Sequence, residues 1–93
     1  MGEDQQQDRL YAEWRAEIAE RLARLTPREH EVMAMVTGGK ANKEIAAGLG
    51  VSAKTVEAHR ARVMEKMEAH SLAELVRMAM LANMGQQAGN VEG

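Results

Sequence analysis

Apolar residues recur along this chain at spacings of three and four, and no stretch alternates with period two, so the pattern predicts helices throughout. In the first such stretch, residues 8–24, Tyr11, Trp14, Ile18 and Leu25 stand at spacings of three, four and seven, with Leu10 and Leu22 alongside. That approximates an a/d seam over barely two heptads. It leaves two readings open, a helix that pairs with a second copy or a helix folded back on its own domain. Residues 1–7 are polar and glutamine-rich, and are expected to be a disordered start.

The next elements are punctuated by local chemistry. In Thr26-Pro27-Arg28-Glu29, a hydroxyl can cap, proline suits the first helical position, and Glu29 completes a capping box. This helix is expected to run to Val36, to bury Val32, Met33 and Val36, and to stop at Gly38-Gly39. A short helix over 43–49 follows, with Asn42 as its cap, then a reversal at Gly50, where a left-handed backbone is cheapest for glycine. Ser52 caps a longer helix over 53–68, and Ile45, Ala46, Leu49, Val51, Val56 and Val63 give the two helices one inner face. Residues 42–63 therefore have the form of a helix-turn-helix. Gly48 stands inside the shorter helix at a cost of about 1 kcal/mol. Ser71-Leu72-Ala73-Glu74 is a second capping box. It opens a last helix to about Asn83, with Leu72, Leu75, Val76, Ala79 and Met80 on a stripe divided between core and dimer contacts. Residues 85–93 form a tail expected to fray.

Composition narrows the picture to one small all-α domain. The 93 residues include no phenylalanine and only Tyr11 and Trp14 as aromatics, so Leu, Ile, Val, Met and Ala must build the core. There is no cysteine, hence no disulfide and no thiolate metal site. The polar start does not read as a signal peptide, and no apolar run reaches membrane-spanning length, so a cytoplasmic protein without a membrane partner is expected.

The net charge of −2 argues against nucleic acid until its distribution is read. Residues 1–37 carry five arginines against eight acids, whereas residues 38–66 carry six basic residues against three acids. Positive charge is concentrated on the helix-turn-helix, which reads either as a local field that steers association with DNA or as chance clustering on a solvated face.

The segments LTPREHEVM (25–33), GGKANKEIAAGLGVSAKTVEAHRARVMEKM (38–67) and SLAELVRMAM (71–80) closely resemble the DNA-binding domain of the LuxR family, most of all the FixJ and NarL group of response regulators. The resemblance covers residues 25–82 without a gap. It implies a four-helix domain over 25–84, with the second and third helices forming the helix-turn-helix and the fourth commonly mediating dimerisation. The preceding helix over 8–24, with its ERLAR stretch, resembles the linker to an N-terminal receiver. No receiver fits within the 93 residues, which leaves open a piece of a two-component regulator or a free-standing small regulator.

Helical geometry assigns the candidate interface. At about 100° per residue, Val56, Val63 and Met67 point inward while Lys54, Ala58, Ala61 and Glu65 point outward. The first half of such a helix reaches base edges, which selects Lys54, Glu57, Ala58, Ala61 and Arg62 as base-proximal. Lys54 and Arg62 can donate to guanine, Glu57 can accept from cytosine, and the two alanines admit a thymine methyl. The alternative for Glu57 is an ion pair with Arg60 or Arg62. The expected phosphate contacts are Lys40, Asn42, Lys43, Thr55, His59, Arg60 and Lys66, although for His59 a boundary histidine whose bonds are satisfied is the better reading.

Enzymatic chemistry finds no support. His30, His59 and His70 are scattered, and Ser52 and Ser71 are better read as helix caps than as nucleophiles. No cofactor, metal or small-molecule ligand is expected. The expected partners are double-stranded DNA and a second copy of the chain on it, with RNA polymerase as a further one. The rival readings are a sigma-factor region 4 module and a protein-interaction module that does not bind DNA.

Overall fold

The computed structural model describes the backbone of residues 2–90, with side chains described over residues 9–83. Five helices follow one another: α1 (Gly2–Leu22), α2 (Pro27–Thr37), α3 (Asn42–Leu49), α4 (Ala53–Met67) and α5 (Leu72–Asn90). The fold is all-α. Helix α4 lies at its centre, against α1, α2 and α3, while α5 closes over α1 and α2.

Aliphatic and methionine side chains fill the interior. Val32, Met33 and Val36 of α2 meet Val56, Val63 and Met67 of α4, and all six are buried. Ile45 enters from α3, Ile18 from α1, and Leu75 and Met78 from α5. Burying each such side chain contributes about 1.5–3 kcal/mol. Methionine, which bends to fit, takes gaps that aromatic rings would otherwise fill.

Of the two readings of α1, the structure takes the folded-back helix. Ile18 is buried, with Trp14 and Leu22 packed against the core. Leu10 and Tyr11 stay exposed, at 62% and 42%. The helix also begins at Gly2, where a disordered start was expected. Residues 3–9 contain neither proline nor glycine to break a helix. At the other end α5 continues to Asn90, past the expected stop near Asn83. The rest of the expected tail, residues 91–93, lies outside the described residues.

The apolar stripe of α5 is divided between inside and outside. Leu75 is buried together with Met78, which the stripe omitted. Leu72 and Met80 face outward at 46% and 57% exposure, and Val76 and Ala79 are half-buried. A spacing of three residues puts Leu75 and Met78 on one inner row.

Candidate nucleic-acid interface

The helix-turn-helix is assembled from local bonds. Gly50 adopts φ 69°, ψ 33°, the left-handed cap of α3, and its N–H donates to the Ala46 carbonyl. The Val51 N–H donates to the same carbonyl at 3.0 Å, which closes the turn. Ser52 caps α4 as expected, its hydroxyl accepting from the Thr55 N–H at 3.1 Å. With Ile45, Val56 and Val63 buried, the turn leaves α4 no freedom to roll, so its outer face is fixed.

The start of α3 is a correction. Asn42 is the first helical residue, and the cap position is Ala41, which has no side-chain oxygen. The Glu44 carboxylate accepts from the Ala41 N–H at 2.9 Å instead. Asn42 is thereby released for another bond, and its Oδ1 accepts from an Arg60 N–H at 2.7 Å.

All five expected base-proximal residues, Lys54, Glu57, Ala58, Ala61 and Arg62, are exposed on one side of α4. Among the described residues, none of Lys54, Glu57 or Arg62 enters a salt bridge, so the expected alternative of a Glu57–Arg pair is not formed. Lys40, Lys43 and Thr55 are exposed on the same half of the molecule's sequence, before and at the start of α4.

The remaining basic residues of α4 are held internally. Lys66 Nζ donates to Glu29 Oε1 at 2.7 Å, and the Glu29 side chain is only 3% exposed. The same oxygen accepts from the Thr26 N–H at 2.9 Å, while the Glu29 N–H donates to Thr26 Oγ1 at 3.2 Å. The predicted capping box is therefore present, and it also receives a lysine from another helix. The Lys66 ammonium, followed by the Thr26 amide, holds the Glu29 carboxyl below the usual range, against burial, which pushes it up. His59 is half-buried with its Nδ1 enclosed and unpartnered, which differs from the satisfied boundary histidine expected.

Sequence reasoning missed how the far end of α4 is fastened. Arg21 of α1 donates to the Met67 carbonyl at 3.1 Å and lies 3.4 Å from Glu68 Oε2. Its guanidinium stacks 5.4 Å from the centre of the Trp14 ring. A cation at a helix C-terminus is favoured by the dipole. Glu68 itself caps α4 at φ 56°, a left-handed conformation uncommon outside glycine. Among the described residues, no three of His, Asp and Glu come together as metal ligands.

The relatives of this chain agree with that architecture. It is 54% identical over 68 residues to the transcriptional regulatory protein FixJ of Azorhizobium caulinodans, covering 73% of this chain and 32% of the relative. To the tetrathionate response regulatory protein TtrR of Salmonella typhimurium it is 52% identical over 63 residues, 68% of this chain and 31% of the relative. The chain thus spans about a third of the length of these curated relatives. Among solved structures, full-length FixJ from B. japonicum superposes with a TM-score of 0.69 at 49% identity, over 78% of this chain and 37% of that one. The response regulator StyR gives a TM-score of 0.74 at 34% identity, over 80% and 37%. The family described as bacterial regulatory proteins, luxR family, matches residues 23–79, from the end of α1 into α5, and the chain belongs to that family.

Proposed function

We propose that this domain binds double-stranded DNA sequence-specifically, with α4 entering the major groove, and that it is the output domain of a bacterial two-component response regulator. One observation carries the reading. Helix α4 is anchored by its inner row, while its outer face presents Lys54, Glu57 and Arg62, which enter no salt bridge among the described residues. A charge held ready but unpaired is what base-edge recognition needs. Ala58 and Ala61 between them let the backbone approach the groove floor.

Lys40, Lys43 and Thr55, with main-chain amides at the start of α4, supply the phosphate contacts in this reading. The regulatory half rests on the relatives, whose names describe transcriptional and response regulatory proteins. A second copy is expected on a two-fold site, joined through the outward Leu72 and Met80 of α5 and the half-buried Val76 between them, an apolar row at helical spacing.

Selection of bound duplexes from a random pool tests the reading, followed by titration of a recovered duplex across salt. A consensus with two-fold symmetry is expected, with log affinity falling steeply and linearly with log salt, by about 0.9 per phosphate neutralised. Recovery of no consensus, with affinity indifferent to salt, would remove DNA from the account.

A further inference from the structure

Arg60 occupies an unusual place for a cation. It lies four residues after Val56 and three before Val63, in the row of α4 that faces the core. Its stem passes a gap of about 10 Å³ lined by Val32, Met33, Val36, Val63, Met64 and Leu75. That is at or below the room one water needs. From there the guanidinium reaches sideways to Asn42 Oδ1 in the first turn of α3, at 2.7 Å and part-buried.

Helix α3 has only eight residues and an alanine at its cap position, so little of its own chemistry holds it in place. Building on the DNA-binding reading above, we propose that Arg60 is a positioning residue rather than a phosphate contact. It acts through Asn42 to fix the start of α3 against α4. The angle between the two helices then sets how α4 and the exposed Lys43 meet the duplex together. Lys66 on Glu29 fastens α4 in the same manner to α2, so two cations of α4 serve the scaffold and two, Lys54 and Arg62, remain for DNA. The sequence carries a signal for this division. Both tethered cations flank the buried row of α4, and both free ones lie on its outer half.

The test uses the whole chain and a duplex recovered by the unaltered chain from a random pool. Arg60→Met keeps the stem and removes the donors, and Asn42→Ala removes the acceptor. Without DNA, amide exchange through α3 is expected to accelerate several-fold in both variants. Unchanged exchange in both would overturn the tether. With DNA, each variant is expected to bind about tenfold more weakly between about 50 and 200 mM salt, on a line parallel to that of the unaltered chain. The double variant should lose no more than either single one, because the two residues act as one unit.

Lys43→Ala supplies the contrast, a shallower salt dependence by about 0.9. A shallower slope for Arg60→Met, multiplied losses in the double variant, or full affinity in both single variants would each defeat the proposal. Failure of the unaltered chain to bind any duplex would sink the DNA-binding reading instead, and the exchange measurement would still decide the tether.

Discussion

The two ends of α4 are built on opposite principles. At its C-terminal end the helix is fastened by several polar contacts: Arg21 on the Met67 carbonyl and Glu68, Lys66 on Glu29, Arg24 on Glu68. At its N-terminal end, and along the outer face that runs from there to Arg62, Lys54, Glu57 and Arg62 stand exposed, with the Ser52–Thr55 cap as the side-chain bond at the helix start. The difference teaches how a small helical domain offers chemistry to a partner without losing rigidity. The presenting end can stay uncommitted because the opposite end is over-determined by core burial, ion pairs and a second helix. Disturbing the fastened end should therefore change stability, and disturbing the free end should change recognition.

The largest effect is expected at the fastened end. Met67→Ala removes a fully buried side chain where α1, α2 and α4 meet and should destabilise the domain by about 2–5 kcal/mol, read by urea denaturation. A loss below 1 kcal/mol would mean that the end of α4 is not held by its core anchor.

Lys66→Met comes next. It leaves the buried Glu29 carboxylate with only its amide partner, a loss of about 1–3 kcal/mol at neutral pH. The pH dependence has a definite sign. The Glu29 carboxyl is held below its ordinary value, chiefly by Lys66, so its contribution is complete above about pH 5 and fades as pH falls through the depressed value. The variant should show a shallower loss of stability on acidification than the parent. Identical acid limbs in both would exclude Glu29 as the titrating group.

Which parts of this design are legible in the sequence follows from the range of the interaction. The caps at Thr26 and Ser52 and the left-handed Gly50 could be read because each bond spans a few residues. The outer face of α4 was legible because helical periodicity fixes it. Glu29 is legible as half of a capping box, but its lysine lies 37 residues away, and Asn42 and Arg60 are 18 apart. No local pattern encodes those meetings. They depend on how α2, α3 and α4 cross, which side-chain packing decides. The substitution of Ala41 for Asn42 at the cap has a similar origin, because Glu44 satisfies the cap amide and Arg60 draws the asparagine away. On α5 the periodicity gave the helix and a stripe that includes the buried Leu75 but omits Met78, because α1 and α2 select which neighbours of Leu75 are enclosed.

On the free outer face, Arg62→Ala should leave stability within about 0.5 kcal/mol of the parent, since its side chain is exposed and enters no salt bridge among the described residues. Preference at one base position should relax by about 1–3 kcal/mol, measured by competition between duplexes that differ at that position. An equal loss on every sequence would place Arg62 on the phosphate backbone and turn the proposed face of α4 by part of a turn.

The smallest effect is expected between the two ends, at Gly48 in α3. A methyl group added there would sit 3.2 Å from the terminal carbon of Met35, tighter than ordinary contact, and would meet no backbone atom at that distance. Met35 is half-buried, and its flexible end can move by a few tenths of an ångström at little cost. Alanine also restores the helix propensity that glycine forfeits, about 1 kcal/mol. Gly48→Ala should therefore stabilise the domain by about 0.5–1 kcal/mol, seen as a higher denaturation midpoint with an unchanged slope. Because α3 would be stiffer while the Arg60–Asn42 contact stays intact, the salt dependence of DNA binding should be unaltered. A destabilised variant would show that Met35 is wedged in place, and that the glycine is there to let α2 and α3 approach.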